Sequence, residues 1–188
     1  MQTHQPLPIL PYEIIQEIFS YCHYNVYKGV DYDSHRIARE NAKSCIVTPD
    51  GKIRYFLDGR LHREGDQPAI IYPNGSQEWW WHGKLHREGD KPAMIHEDGY
   101  QVWYWHGERH REGDQPAVIY ADGYQAWYWC GKRHREGDQP AIIRIDGTQE
   151  WYWHGKCHRE GDQPAIIRAD GSQAWYLHGK RQKVQYTF

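Results

Sequence analysis

The pentapeptide His-Arg-Glu-Gly-Asp occurs five times, beginning at His62, His86, His110, His134 and His158. It places an imidazole, a guanidinium and two carboxylates within five residues, the groups that proton transfer and metal binding use. Glu64 and Asp66, with their later copies, have the chemistry of a general acid and base. Such a pair works where unequal surroundings in a cleft split the two pKa values. Identical copies every 24 residues offer equivalent surroundings instead. No Gly-x-Ser-x-Gly elbow, phosphate loop or dinucleotide fingerprint accompanies them. The pattern points away from an enzyme, and no catalytic residue is assigned.

Metal binding is the second chemistry to weigh. His82/His86, His106/His110 and His154/His158 are each separated by three residues, and Cys130/His134 exchanges one zinc-binding residue type for another. The series lapses at its ends, to Asp58/His62 and His178/Gln182, and the spacing spans a glycine turn. A structural zinc site takes four ligands, so two copies would have to share one. No metal and no cofactor is assigned. A structural role accounts for more: Arg63 and its copies can set a guanidinium beside a carboxylate of the next copy, and bidentate pairing would fix their register. Gly65 and Asp66 suit a turn, and His62 can donate to a loop carbonyl. The pentapeptide then reads as a connecting loop.

The elements that hold it repeat as well. Units begin at Gly51, Gly75, Gly99, Gly123 and Gly147, with a partial one at Gly171; the working unit is G-x-Q-x-W-Y-W-H-G-K-x-H-R-E-G-D-Q-P-A-I-I-x-x-D. The aromatic "SQEWWW" and the apolar "PAIIY" read as strands. "PNG" or "DG" between them signals a tight turn, and "HG" or "CG" marks a second. A two-residue turn at Asn74–Gly75 would pair Tyr72 with Gln77 and Ile70 with Trp79. Ile70, Tyr72, Gln77, Trp79 and Trp81 would then share one face, and Ala69, Ile71, Glu78 and Trp80 the other. One unit cannot bury such a face alone, so the expectation is mainly β: a solenoid-like ribbon of tandem 24-residue β-hairpin repeats over 51–188.

Residues 1–50 differ. "LPYEIIQEIFSYC" (Leu10–Cys22) aligns Ile14, Ile15, Ile18, Phe19 and Cys22 on one helical stripe, with Pro11 suited to the helix start. A second helix is expected over Asp33–Cys45, capped by Asp33 or Ser34. Composition sets further limits. With 10 Trp and 15 Tyr and few aliphatic residues, any core is built from rings. The first fifty residues carry four Lys/Arg against six Asp/Glu, leaving 19 of each sign for the rest. That balance lacks the basic excess of a nucleic-acid binder or of a protein drawn to an anionic membrane. The four cysteines form no CxxC pair, which suits reduced thiols in a cytoplasmic or nuclear setting.

Two resemblances follow from these motifs. The tandem β-hairpin units with their Gly and Trp signatures resemble MORN repeats, and "HGKLHREGDQPAIIYPNGSQEWW" looks most like the longer variant found in giant-virus proteins. "LPYEIIQEIFSY" resembles the opening of an F-box, matching at Leu10, Pro11, Glu13, Ile18, Phe19 and Tyr21. An F-box is a helical hook for a Skp-type adaptor of a cullin–RING ubiquitin ligase. The resemblance implies that Leu10, Pro11, Ile14, Ile15, Ile18 and Phe19 contact that adaptor, in the cytoplasm or nucleus of an infected host cell. A target protein would bind where the repeats differ, at Tyr72, His96, Tyr120, Arg144 and Arg168, a row that runs from aromatic to basic. The competing expectation is a structural scaffold or virion component whose N-terminal helices cap the ribbon.

Overall fold

The computed structural model describes residues 43–185, which it builds from short antiparallel strands; among the described residues there is no helix. The Leu10–Cys22 stripe and its adaptor-contact residues lie outside the described residues. Two compact units divide the chain after Lys84. In the first, Ile53–Leu57 pairs with Lys43–Val47 on one side and with Arg60–Leu61 and Ile70–Ile71 on the other; Ile70–Ile71 then pairs with Gln77–Glu78. In the second, two-residue strands follow one another in chain order from Met94–Ile95 to Ile166–Ile167, and the series ends in the longer Gln173–Leu177 and Lys180–Gln185. Each repeat adds two strands. The tandem β-hairpin array expected from the repeat is the observed architecture.

The expected second helix is corrected at its end. Lys43, Ser44 and Cys45 are strand, paired with Leu57, Phe56 and Tyr55. The rest of Asp33–Cys45 lies outside the described residues. The first repeat presents an open ladder of backbone donors and acceptors, and pairing with it outweighs a helix propensity worth only tenths of a kcal/mol per residue.

The register at the Asn74–Gly75 corner is also corrected. Ile71 faces Gln77, Ile70 faces Glu78, and the Tyr72 N–H bonds to the Ser76 carbonyl at 2.9 Å. The loop therefore holds three residues. Gly75 bonds back to Tyr72 and alone adopts a left-handed backbone (φ +90°), which is a type I turn closed by a glycine bulge. Asn74 stabilises it by accepting the Ser76 N–H at 3.0 Å, as Asp98, Asp122, Asp146 and Asp170 do at later corners. A one-residue slip moves every side chain to the opposite face. Ile70, Tyr72, Ser76, Glu78 and Trp80 thus share a face, and the Tyr72 hydroxyl and Trp80 indole both donate to the Glu78 carboxylate at 2.7 Å. In the second unit the matching positions supply the main cluster: Val102, Val118, Ala126 and Ile142, with Tyr104, Tyr128 and Tyr152 packed against it.

A second buried row belongs to the pentapeptide. Ala93, Ala117, Ala141 and Ala165 are 0% exposed, and Trp103, Trp127, Trp151 and Trp175 only 6–8%. At one junction Gly137 and Asp138 both take left-handed backbones (φ 72° and 51°). The Asp138 carbonyl thereby accepts the Trp151 indole N–H at 3.1 Å. Its carboxylate takes two hydrogen bonds from Arg159, at 2.7 and 2.9 Å. The guanidinium lies 3.9 Å above the Trp151 ring and gives a third bond to the Pro164 carbonyl at 3.2 Å. Asp90 with Arg111 and Asp114 with Arg135 repeat the bidentate pair. A bidentate pair between neighbouring repeats is as expected, but its direction is corrected, since the expected partner was a carboxylate of the next repeat. The carboxylate is the aspartate of the preceding repeat, because only that residue sits on the turn facing the incoming arginine.

Arg159→Ala should cost about 2 kcal/mol in urea unfolding, since it strips a charged hydrogen-bond donor and uncovers Trp151. Asp138→Asn, which tolerates the same backbone, should cost about 1 kcal/mol or less because the carboxylate is exposed and screened. The arginine hydrogen bonds hold Asp90, Asp114 and Asp138 below the usual carboxylate range. Folding lowers these pKa values, so the stabilisation is complete above about pH 4 and is lost as pH falls through the lower folded values. Unfolding curves across that range, with and without the Asp138→Asn change, measure it.

Candidate interaction surface

Each repeat projects a short hairpin, turned by Asp58–Gly59 in the first repeat and by His-Gly or Cys-Gly in the others. Both turn residues have positive φ, for example 47° at His154 and 86° at Gly155, which is the type I′ geometry that matches strand twist. The positive φ is what calls for glycine at 155; a Cβ there would make only ordinary contact with Lys132 Cβ of the preceding hairpin, at 3.6 Å. The tips carry the exposed tryptophans. Trp81 in the first unit is 42% exposed; Trp105, Trp129 and Trp153 in the second are 47%, 46% and 43% exposed. Across each tip of the second unit stands a charged partner: Glu108 opposite Trp105, Lys132 opposite Trp129, and Lys156 opposite Trp153. Leu177 and Lys180 hold the same places at the end of the array.

Behind the tips the histidines pair at a spacing that the sequence reading missed. His106 stacks on His86 at 4.5 Å, His154 on His134 at 4.6 Å and His178 on His158 at 4.5 Å, with interplanar angles of 8°, 5° and 14°. The partners are 20 residues apart, whereas the sequence reading paired His106 with His110 and His154 with His158. The first-unit pair, His62 and His82, is tilted at 4.5 Å. In each pair the inner ring's Nδ1 accepts the backbone N–H of the outer residue, as His134 does from His154 at 3.4 Å. The inner histidine is therefore an acceptor there, not the donor to a loop carbonyl that was expected. This assignment leaves its proton on Nε2 when the ring is neutral. The Trp153 ring closes on His134 from the side, with centroids 4.4 Å apart.

These contacts explain the cysteine at position 130. What the outer residue supplies is a backbone N–H, and Cys130 gives its own to His110 Nδ1 at 3.2 Å while its exposed Sγ lies 3.9 Å away. Stacked rings with one Nδ1 already bonded do not aim their lone pairs at a common point. Among the described residues no group of three or more His, Cys, Asp or Glu side chains is placed to hold a metal ion. Cys157 is half-buried, and burial pushes its thiol up to about 12, far from a reactive thiolate.

The row expected to bind a target lies at the sheet corners and divides in two. Tyr72 and Arg144 turn back on the carboxylates of Glu78 and Glu150, each at 2.7 Å. Burial, then the Glu78 hydrogen bond, pushes the Tyr72 phenol up to about 12. Arg168 donates to the Ser172 hydroxyl at 3.2 Å. His96 stands exposed beside Asp98, and Tyr120, 41% exposed, rests on Tyr100 at 4.3 Å and Tyr124 at 5.3 Å. Where the strand residue six positions on is Glu, as at Glu78 and Glu150, the corner side chain, Tyr72 or Arg144, donates to it.

His134→Phe keeps the ring stack but removes the acceptor for the His154 N–H, and should cost about 1–3 kcal/mol in urea unfolding. Burial, then the second imidazole, lowers the pKa of His62, His86 and His134. Their neutral forms therefore stabilise the fold fully above about pH 6.5, and that stabilisation declines as pH drops below it. Thermal unfolding of wild type and His134→Phe between about pH 7.5 and 5 should converge as the medium becomes acidic. Set against known proteins, the chain matches no protein-family model and no curated protein.

Proposed function

We propose that the chain is a non-enzymatic, two-part interaction protein, in which an F-box-like N-terminal segment recruits a Skp-type adaptor and the β-repeats hold a target protein. The observation that carries the target-holding half is a division of labour within each repeat. In the second unit the arginines and aspartates of the Arg-Glu-Gly-Asp loop are spent on the junctions: Asp90, Asp114 and Asp138 take Arg111, Arg135 and Arg159, which also cover a buried tryptophan. The hairpin tips meanwhile leave tryptophans 42–47% exposed at Trp81, Trp105, Trp129 and Trp153. Within the second unit, exposed indoles recurring at Trp105, Trp129 and Trp153 are the side chains that protein interfaces use as anchors. The recruiting half rests on the Leu10–Tyr21 motif, and the pairing of a short hook with a repeat module is an analogy of layout.

A second reading has its own observation. The outer strand Lys43–Val47 leaves Ile46 and Val47 49% and 53% exposed, directly after the N-terminal segment in the chain. An apolar helix folded over that strand would make residues 1–42 a cap and the whole chain a scaffold or virion component.

Binding of the full-length protein to a purified Skp-type adaptor separates the two. The adaptor reading expects micromolar or tighter binding that an Ile14→Asp/Ile18→Asp variant loses while its repeats keep their melting temperature. The cap reading expects no adaptor binding by wild type and a lower melting temperature in the variant, because aspartate would be forced against Ile46 and Val47.

A further inference from the structure

We infer that the tips of the second compact unit form a docking row for an extended polyproline-II segment bearing acidic residues. This deepens the target-holding reading and rests on it. The tips and a polyproline-II helix share a period. Each repeat contributes two strands to the sheet, so successive tips are separated by two strand spacings, ~9.5 Å. A polyproline-II helix rises ~3.1 Å per residue with three residues per turn, so one side of it recurs every ~9.3 Å. An α-helix recurs every ~5.4 Å, and one face of a β-strand every ~6.7 Å; neither keeps step with the row. Every third residue of a polyproline-II ligand would meet Trp105, Trp129 and Trp153 in turn.

Hydrogen-bond chemistry gives the second argument. The buried Trp127 and Trp151 donate their indole N–H groups to Asp114 and Asp138 carbonyls at 3.1 Å. Among the described residues, the indole N–H of Trp105, Trp129 and Trp153 has no acceptor. A polyproline-II chain makes no internal hydrogen bonds, so its carbonyls point outward and need donors. Proline rings stack on indole faces while the neighbouring carbonyl takes the N–H, the combination that aromatic-lined grooves use for such ligands.

Charge decides the third residue type. Lys132, Lys156 and Lys180 are exposed and stand directly opposite Trp129, Trp153 and Leu177. One position of each ligand triplet would face this lysine row, and a carboxylate there complements it. Glu108, opposite Trp105, reverses the sign at the other end of the row. The fitting ligand therefore carries acids over the triplets that face Lys132, Lys156 and Lys180, and Glu108 gives the row a direction.

Intrinsic fluorescence and calorimetric titration of the whole protein with a peptide of about four Pro-Pro-Glu triplets, ~37 Å when extended, tests this. Saturable binding is expected, with Pro-Pro-Lys peptide and oligodeoxythymidine as comparison ligands. Trp129→Ala/Trp153→Ala should weaken binding by at least about tenfold, the loss expected of tryptophan anchors. Lys132→Glu/Lys156→Glu, at exposed positions that leave the fold intact, should shift the preference from the Glu to the Lys peptide. No binding by wild type, equal binding by both variants, or a preference for oligodeoxythymidine would overturn the inference. Wild type that binds the Skp-type adaptor but not the peptide overturns this inference alone; failure of both overturns the two-part reading as well.

Discussion

The junction between neighbouring repeats depends on one guanidinium. Arg159 reaches back to the carboxylate of Asp138, covers the face of Trp151 and ties down the Pro164 carbonyl, so one side chain closes the preceding turn and shields its own repeat's buried ring. It can do so because Asp138 sits in a left-handed turn that points its carbonyl at the indole and its carboxylate at the arginine. The planar fork of arginine meets a carboxylate with two parallel bonds, a geometry that lysine cannot supply. Each exposed pair is weak alone, yet the arrangement specifies register, because a slipped repeat would leave a buried indole N–H and a half-buried guanidinium without partners.

That constraint frees the rest of the repeat. Two-residue strands are too short to be stable by themselves, and their stability is shared with neighbours on both sides, as in any one-dimensional array. With the sheet junctions carried by Asp, Arg and the buried tryptophan, the hairpin tips are tied to the preceding repeat mainly through backbone N–H groups, as at His154 and Gly155. They can leave their outer tryptophans half in water, backed by stacked imidazoles that keep the tips in place. The same layout explains why the pentapeptide, which contains the residue types of an acid–base or metal site, is worked into structure. Arginine holds Asp90, Asp114 and Asp138 below the usual carboxylate range, and burial lowers the pKa of His62, His86 and His134.

Much of this was legible in the chain itself. The 24-residue period, the hairpins, the turn positions and the bidentate Arg–carboxylate link all follow from residue types and spacing. Where the reading slipped, a local signal had two geometric solutions. Asn-Gly serves a two-residue turn as readily as a three-residue loop with a glycine bulge, and the difference of one residue exchanged the faces of Ile70 and Trp79. Lys43–Cys45 has helical character in isolation, but an open strand edge lies beside it in the fold. The His-x-x-x-His spacing suggested partners on one hairpin, whereas the rings that touch come from successive repeats, 20 residues apart.

The sequence by itself determined that the protein is a tandem β-hairpin array, because periodic turn residues and aromatic strands leave few alternatives for the backbone. Which tryptophan of each block is buried and which is exposed was decided only by the tertiary structure. Trp151 and Trp153 are alike in type and two residues apart, but one is 6% and the other 43% exposed. The difference lies in the neighbouring repeat. It brings an aspartate carbonyl to the first indole and a stacked imidazole pair behind the second, and such contacts between repeats exist only once the chain has folded back on itself.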